Sequence, residues 1–246
     1  MRPFLCILVA LTVIGCKGET GPAGPAGGLV LTGNIQGTVR LYSDVDAYRP
    51  LQDASGVSVM LLSQSITTLS QADGSWELTA VPAGIYSFRF SKTGYFSRTS
   101  HNFQFVGGGT YYYGGTILSE VPSVTVPQFS MAFDEATMAI TFTGAIGSLD
   151  TLGREIMILM STTSMDDTST FEFDTYNSAY VLTDSINFVS HWYLYPGDEL
   201  VGTTVYAKAF ANARYHWYPS YDPATNRYQF DTPGVSFSPE RSIVIP

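Results

Sequence analysis

The chain has 246 residues, a formal charge of −9, 14% aromatic residues and only 13% charged residues. A soluble domain ordinarily carries roughly 25% charged residues, so this surface is built from Ser, Thr, Asn, Gln, Tyr and Gly, an extracytoplasmic, β-rich composition. Hydrophobic residues at 45% exclude disorder over most of the length, three lysines in an acidic chain exclude nucleic acid as a partner, and two cysteines exclude a disulfide-stapled scaffold.

Residues 1–15 read as a signal peptide. Arg2 supplies the positive start, and the apolar run from Phe4 to Ile14, broken only by Thr12, is too short for a bilayer span of about 20 residues. The ending Val13-Ile14-Gly15-Cys16 resembles the lipobox of bacterial lipoproteins, which implies cleavage before Cys16 and acylation of its thiol and new amino terminus. An ordinary secretory signal cleaved a few residues later is the alternative. More than one acyl chain is needed for stable anchoring, and the lipoprotein modification would supply it. The expectation is a chain anchored to the bacterial envelope through Cys16. Lys17 stands where an Asp often marks inner-membrane retention, which favours the outer membrane.

Residues 16–32 continue as a linker, with glycine at 18, 21, 24 and 27 in a Gly-Pro-Ala setting. The period is that of collagen, but so few triplets do not hold a triple helix, so the segment reads as an extended stalk.

From Gly33 the hydrophobic period is two, and turn residues recur at short intervals. Ile35, Val39 and Leu41 share one face, as do Val57, Val59 and Leu61, Trp76 and Leu78, and Tyr86, Phe88 and Phe90. Turns fall at Asp73-Gly74, Pro82-Ala83-Gly84 and Thr93-Gly94. The ordered series Gly33-Asn34-Ile35-Gln36-Gly37-Thr38-Val39, Ser55-Gly56-Val57, Asp73-Gly74-Ser75-Trp76 and Pro82-Ala83-Gly84-Ile85-Tyr86 resembles a carboxypeptidase regulatory-like domain over about 33–120. That resemblance implies a prealbumin-like sandwich, grouped with carbohydrate-binding-like folds and carrying no zinc ligands. The Asp-Gly turn is expected to join two antiparallel strands.

The first domain is set at 33–121 and a second at 122–246, with strands expected near 124–133, 137–144, 154–162, 170–182, 185–194, 203–211 and 227–237. The run Thr204 to Asn212, preceded by Leu194-Tyr195-Pro196-Gly197-Asp198, resembles strands E and F of a fibronectin type III-like domain, with Ile140 to Gly144 and Ile156 to Ser161 as strands B and C. An immunoglobulin-like sandwich of different strand order fits as well. The fold expected is therefore all-β, two tandem antiparallel β-sandwiches.

Chemistry is sparse. The histidines are His101, His191 and His216, and no metalloprotease, nucleophile-elbow or phosphate-loop motif occurs, so no catalytic residue, metal site or cofactor is assigned. Asp44, Asp46 and Asp53, and separately Asp166 and Asp167, lack the dense spacing of a calcium loop and read as solvated charge.

Aromatic residues carry more information. His-Trp-Tyr occurs at 191–193 and 216–218, and strand parity puts Trp192 of the first copy in the core. The second copy lies in the Pro-containing segment 214–223, where Tyr215, His216, Trp217, Tyr218 and Tyr221 are candidate ligand-binding residues, flat contact area for a sugar or a protein hot spot. The other reading is a loop folded back over the sandwich end. Tyr111-Tyr112-Tyr113 forms a second patch in which alternation sends at least one ring inward. The function expected is non-catalytic binding or adhesion at the cell surface, with carbohydrate favoured as ligand. A structural or assembly role against another envelope protein is the alternative.

Overall fold

The computed structural model describes residues 31–44, 46, 49–64, 66–148, 153–165, 170–173, 175–182, 185–194, 200–213, 220–231 and 235–246. Leu31–Pro246 form one compact unit. The expected all-β class holds throughout the described residues, which contain no helix.

The first sandwich is built from β1 (Thr32–Tyr42), β2 (Ser58–Leu61), β3 (Ile66–Leu69), β4 (Ser75–Pro82), β5 (Gly84–Ser91), β6 (Arg98–Phe105) and β7 (Thr110–Ser119). Its sheets have the orders β4-β1-β7 and β3-β2-β5-β6. The inward faces are those the alternation predicts: Ile35, Val39, Leu41, Val57, Val59, Leu61, Trp76, Leu78, Tyr86, Phe88 and Phe90 form one buried cluster. Gly37 lacks a side chain because the Trp76 ring lies across it; a Cβ there would sit 2.6 Å from Cζ2.

Two features differ from expectation. The β1–β7 pairing is parallel rather than antiparallel, and a parallel pair needs a crossover, which the five intervening strands supply. Asp73-Gly74 does not close a ladder hairpin, since β3 pairs with β2 while β4 pairs with β1. The turn instead carries the chain between sheets. Gly74 has φ +82°, and a Cβ would meet the Val39 carbonyl oxygen at 2.1 Å. The Pro82-Ala83-Gly84 corner also switches sheets, and there Tyr86 Oη donates to the Pro82 carbonyl at 2.7 Å.

The second sandwich comprises β8 (Gln128–Asp134), β9 (Ala139–Ala145), β10 (Arg154–Ser161), β11 (Thr170–Phe173), β12 (Thr175–Val181), β13 (Asn187–Tyr193), β14 (Thr204–Ala211), β15 (Ser220–Asp222), β16 (Arg227–Asp231) and β17 (Arg241–Val244). Its sheets are β13-β9-β8 and β12-β10-β14-β17, with a third small sheet β11-β16-β15 beside them. The predicted strand at 170–182 is thus two strands in different sheets, and β15 and β17 went unpredicted. Ile140, Phe142, Ile156, Ile158, Phe188, Val205 and Ala207 fill the space between the two main sheets. Trp192 packs against that core as parity predicts.

β10 and β14 are buried on both faces. Met157, Leu159 and Phe210 point away from the sandwich core and meet Phe96 of the first sandwich in a third cluster, where the Phe96 and Phe210 ring centroids are 6.0 Å apart. Beside it Arg154 reaches across to Asp44. The sandwiches are therefore packed against each other through an apolar core and an ion pair.

Three exposed aspartates organise turns by accepting hydrogen bonds. The hydroxyl and then the backbone N–H of Ser75 hold the Asp73 carboxyl below its usual value, the Ser55 backbone does so for Asp53, and the Thr137 hydroxyl with the Ala136 N–H for Asp134. A carboxylate lowered in the folded chain stabilises it above the unfolded value of about 3.9 and loses that contribution as pH falls through the folded value. Carboxyl carbon titration by NMR is expected to show all three midpoints below those of the denatured chain.

Candidate functional site

The small sheet β11-β16-β15 is assembled from two connections of the second sandwich. β11 lies between β10 and β12 in the chain, and β15 and β16 lie between β14 and β17. Tyr221 stands opposite Tyr228 in the β15–β16 ladder, beside a turn in which Ala224 N–H donates to Asp222 and Asn226 takes a positive φ. The Tyr221 and Tyr228 rings are 5.4 Å apart, and Tyr228 meets Tyr176 at 5.4 Å in an edge-on contact. These three rings run from partly buried Tyr176 and Tyr228 to Tyr221, which is 46% exposed and donates its hydroxyl to Asn226.

Ser220 ties this sheet to the first sandwich. Its Oγ accepts from the Thr99 N–H at 3.1 Å and donates to the Thr99 carbonyl at 2.8 Å. One hydroxyl thus satisfies a backbone donor and acceptor on β6, as a further strand would. Of the predicted binding residues, Tyr221 is placed on this sheet. Tyr215, His216, Trp217 and Tyr218 lie outside the described residues, as does Cys16.

The other aromatic candidates separate by parity. Tyr113 turns inward, 4.6 Å from Phe88, and Tyr111 contacts Phe103 at 5.2 Å. Tyr112 is 58% exposed. His191 Nδ1 lies 3.0 Å from the Thr141 hydroxyl, and His101 Nδ1 lies 3.3 Å from the Ser87 hydroxyl while its Nε2 has no hydrogen-bond partner among the described residues.

The acidic residues divide differently from expectation. Asp53 is exposed and caps its own turn. Asp44 is not solvated loop charge: both its oxygens accept from Arg154, at 2.8 Å each, and its N–H donates to Glu120. Sequence spacing gave no sign of this, because the partner is 110 residues away. No cluster of three or more metal-ligating side chains occurs among the described residues. Asp166 and Asp167 lie outside them.

No protein-family model matches the chain. No curated protein matches it either. Among solved structures, the chain is similar to a proposed carbohydrate-binding protein from Bacteroides uniformis (14% identity, TM-score 0.31, covering 87% of this chain and 100% of that one). A DUF3823 family protein from Parabacteroides merdae is similar at 13% identity and TM-score 0.31, covering 87% and 99%. A mutant type II cohesin–X-dockerin complex from Acetivibrio cellulolyticus matches at 13% identity and TM-score 0.29. That match spans 36% of this chain and only 58% of the other. At these scores the likenesses assign neither ligand nor activity to this chain.

Proposed function

We propose that the protein is a non-catalytic, lipid-anchored envelope protein that binds carbohydrate through the aromatic segment 215–221. On this reading residues 1–15 are a signal peptide, Cys16 carries the lipid at the outer membrane, 16–32 are a stalk, and 33–121 and 122–246 are the two sandwich domains. The order β13-β9-β8 over β12-β10-β14-β17 supports the fibronectin-like reading of the second domain, since the segment likened to strand B lies in one sheet and those likened to C and F are neighbours in the other.

The observation that carries the functional reading is the tyrosine series Tyr176–Tyr228–Tyr221. It forms a braced platform whose exposed end immediately follows the segment holding Trp217 and Tyr218, and it is fixed to the neighbouring sandwich by Ser220. Binding groups held on rigid strands keep their geometry better than those on free loops. The double substitution Trp217→Ala with Tyr218→Ala is expected to lower retention on a glycan array by about tenfold, which corresponds to about 1.4 kcal/mol. The thermal midpoint should be nearly unchanged. Undiminished retention would remove the segment from the site.

A structural or assembly role is supported by a different feature. Strand β7 has β1 as its sole ladder partner among the described residues, and its ten residues carry neither charge nor proline. Such an edge accepts a strand from another chain.

A further inference from the structure

We propose that the first sandwich carries a second carbohydrate site, a cleft of about 550 Å³ on the solvent face of the β4-β1-β7 sheet, selective for neutral, hydroxyl-rich oligosaccharides. The inference rests on the carbohydrate reading for its ligand class, but it uses none of the residues 215–221.

The cleft follows from the register of the sheet. Gln36 faces Glu77 on one neighbour and Tyr112 on the other, so the three side chains form one row on the outer face, spanning two strand spacings or roughly 10 Å. A bulge at Gln36/Gly37 then makes Tyr113 the extra residue on β7 and puts Gly115 opposite Thr38. The next row therefore has no side chain on β7 to cover the Tyr112 ring, which is 58% exposed. Across the sheet, Leu69 and Gln71 rise beside β4 as the opposite wall; Leu69 is 59% exposed, and Gln71 is fixed by its N–H donating to the Ser75 carbonyl at 2.8 Å.

The lining determines the ligand. Gln36, Gln71 and Thr38 can each donate and accept, as sugar hydroxyls do. The Glu77 carboxylate is held by Asn34 Nδ2 at 2.9 Å and accepts only. Among the described residues no lysine or arginine lines the cleft and Glu77 is the one carboxylate, so an anionic ligand is disfavoured. Tyr112 offers a flat apolar face with a polar tip against which a sugar ring can lie. The volume falls within the range of small-ligand sites, about 300–1,000 Å³.

The test uses the full chain in detergent on an array of neutral and uronic-acid-bearing oligosaccharides. Wild type is expected to retain neutral members, and Tyr112→Ala or Gln36→Glu to lower that retention about tenfold. Adding Tyr112→Ala to the Trp217→Ala, Tyr218→Ala chain should remove what retention is left. Both altered positions are on the surface, and Gln36→Glu keeps the side-chain shape, so an unchanged thermal midpoint separates lost binding from lost folding. Undiminished retention in both cleft variants, with loss in the Trp217→Ala, Tyr218→Ala chain, overturns the cleft and leaves the 215–221 site standing. Retention of uronic-acid members that disappears with Tyr112→Ala overturns the neutral class. If wild type retains no oligosaccharide, the carbohydrate reading of the whole protein falls and the cleft site with it.

Discussion

Phe96→Ala is expected to convert one cooperative unfolding transition into two and to destabilise the chain by about 3–5 kcal/mol, the usual range for removing a buried phenylalanine ring. Phe96 is fully buried, yet it contributes to neither sandwich interior. It lies between β5 and β6 and packs with Met157, Leu159 and Phe210 on the outer face of the second sandwich. Phe210 in turn meets Phe237 at 5.4 Å, so the ring anchors a cluster drawn from both halves of Leu31–Pro246. Packed cores relax little around a deleted ring, and the resulting cavity would fall where the sandwiches couple. Urea denaturation followed by tryptophan fluorescence reads the effect, because Trp76 sits in the first core and Trp192 packs against the second. A Phe96→Ala chain that still unfolds in a single step with an unchanged midpoint would remove the cluster as the coupling element.

That cluster also shows what the sequence could and could not disclose. Strand positions followed from alternation wherever one face meets solvent, as at Tyr86, Phe88 and Phe90 against Ser87, Arg89 and Ser91. Ile156-Met157-Ile158-Leu159-Met160 breaks that rule, and a continuous apolar run signals burial on both faces. Met157 and Leu159 were therefore legible as needing a second cover, but Phe96, about 60 residues earlier, carries no local mark of being that cover. The small sheet was hidden for another reason. β15 has three residues, too short for periodicity to register, and four-residue β11 runs almost directly into β12, so alternation reads the two as one strand. The parallel β1–β7 pair was invisible because hydrophobic parity fixes which face is buried and says nothing of strand direction. At the candidate sites, aromatic content drew attention to Tyr112 and Tyr221 directly. Gln36 gained meaning only from register, which sets it beside Tyr112, and Gln71 only from the turn before β4, which brings it to the same cleft.

Asp44→Ala is expected to destabilise the folded chain by about 3 kcal/mol, and the same change made together with Arg154→Met to recover most of that loss. The Arg154 side chain is 2% exposed and that of Asp44 14%. The guanidinium grips both carboxylate oxygens, at 2.8 Å each, and its Nη1 also donates to the Asn212 carbonyl at 2.8 Å. Asn212 is itself held through Nδ2 to Glu155 at 2.8 Å, so the ion pair locks the end of β14 to the loop after β1. Removing one partner of a buried pair leaves a charge away from water without its counter-charge, which costs about 3–5 kcal/mol. The partial exposure of Asp44 puts this case at the lower end. The pair itself contributes less than that loss, because desolvating both charges offsets much of their attraction, and replacing both with apolar groups is often neutral. Asp44→Asn, which keeps one acceptor oxygen and the shape, should fall between the single and double variants. Chemical denaturation of the three chains gives the ordering. A double variant as unstable as Asp44→Ala alone would mean that the charge pair supplies net stability, and that packing at this seam does not replace it.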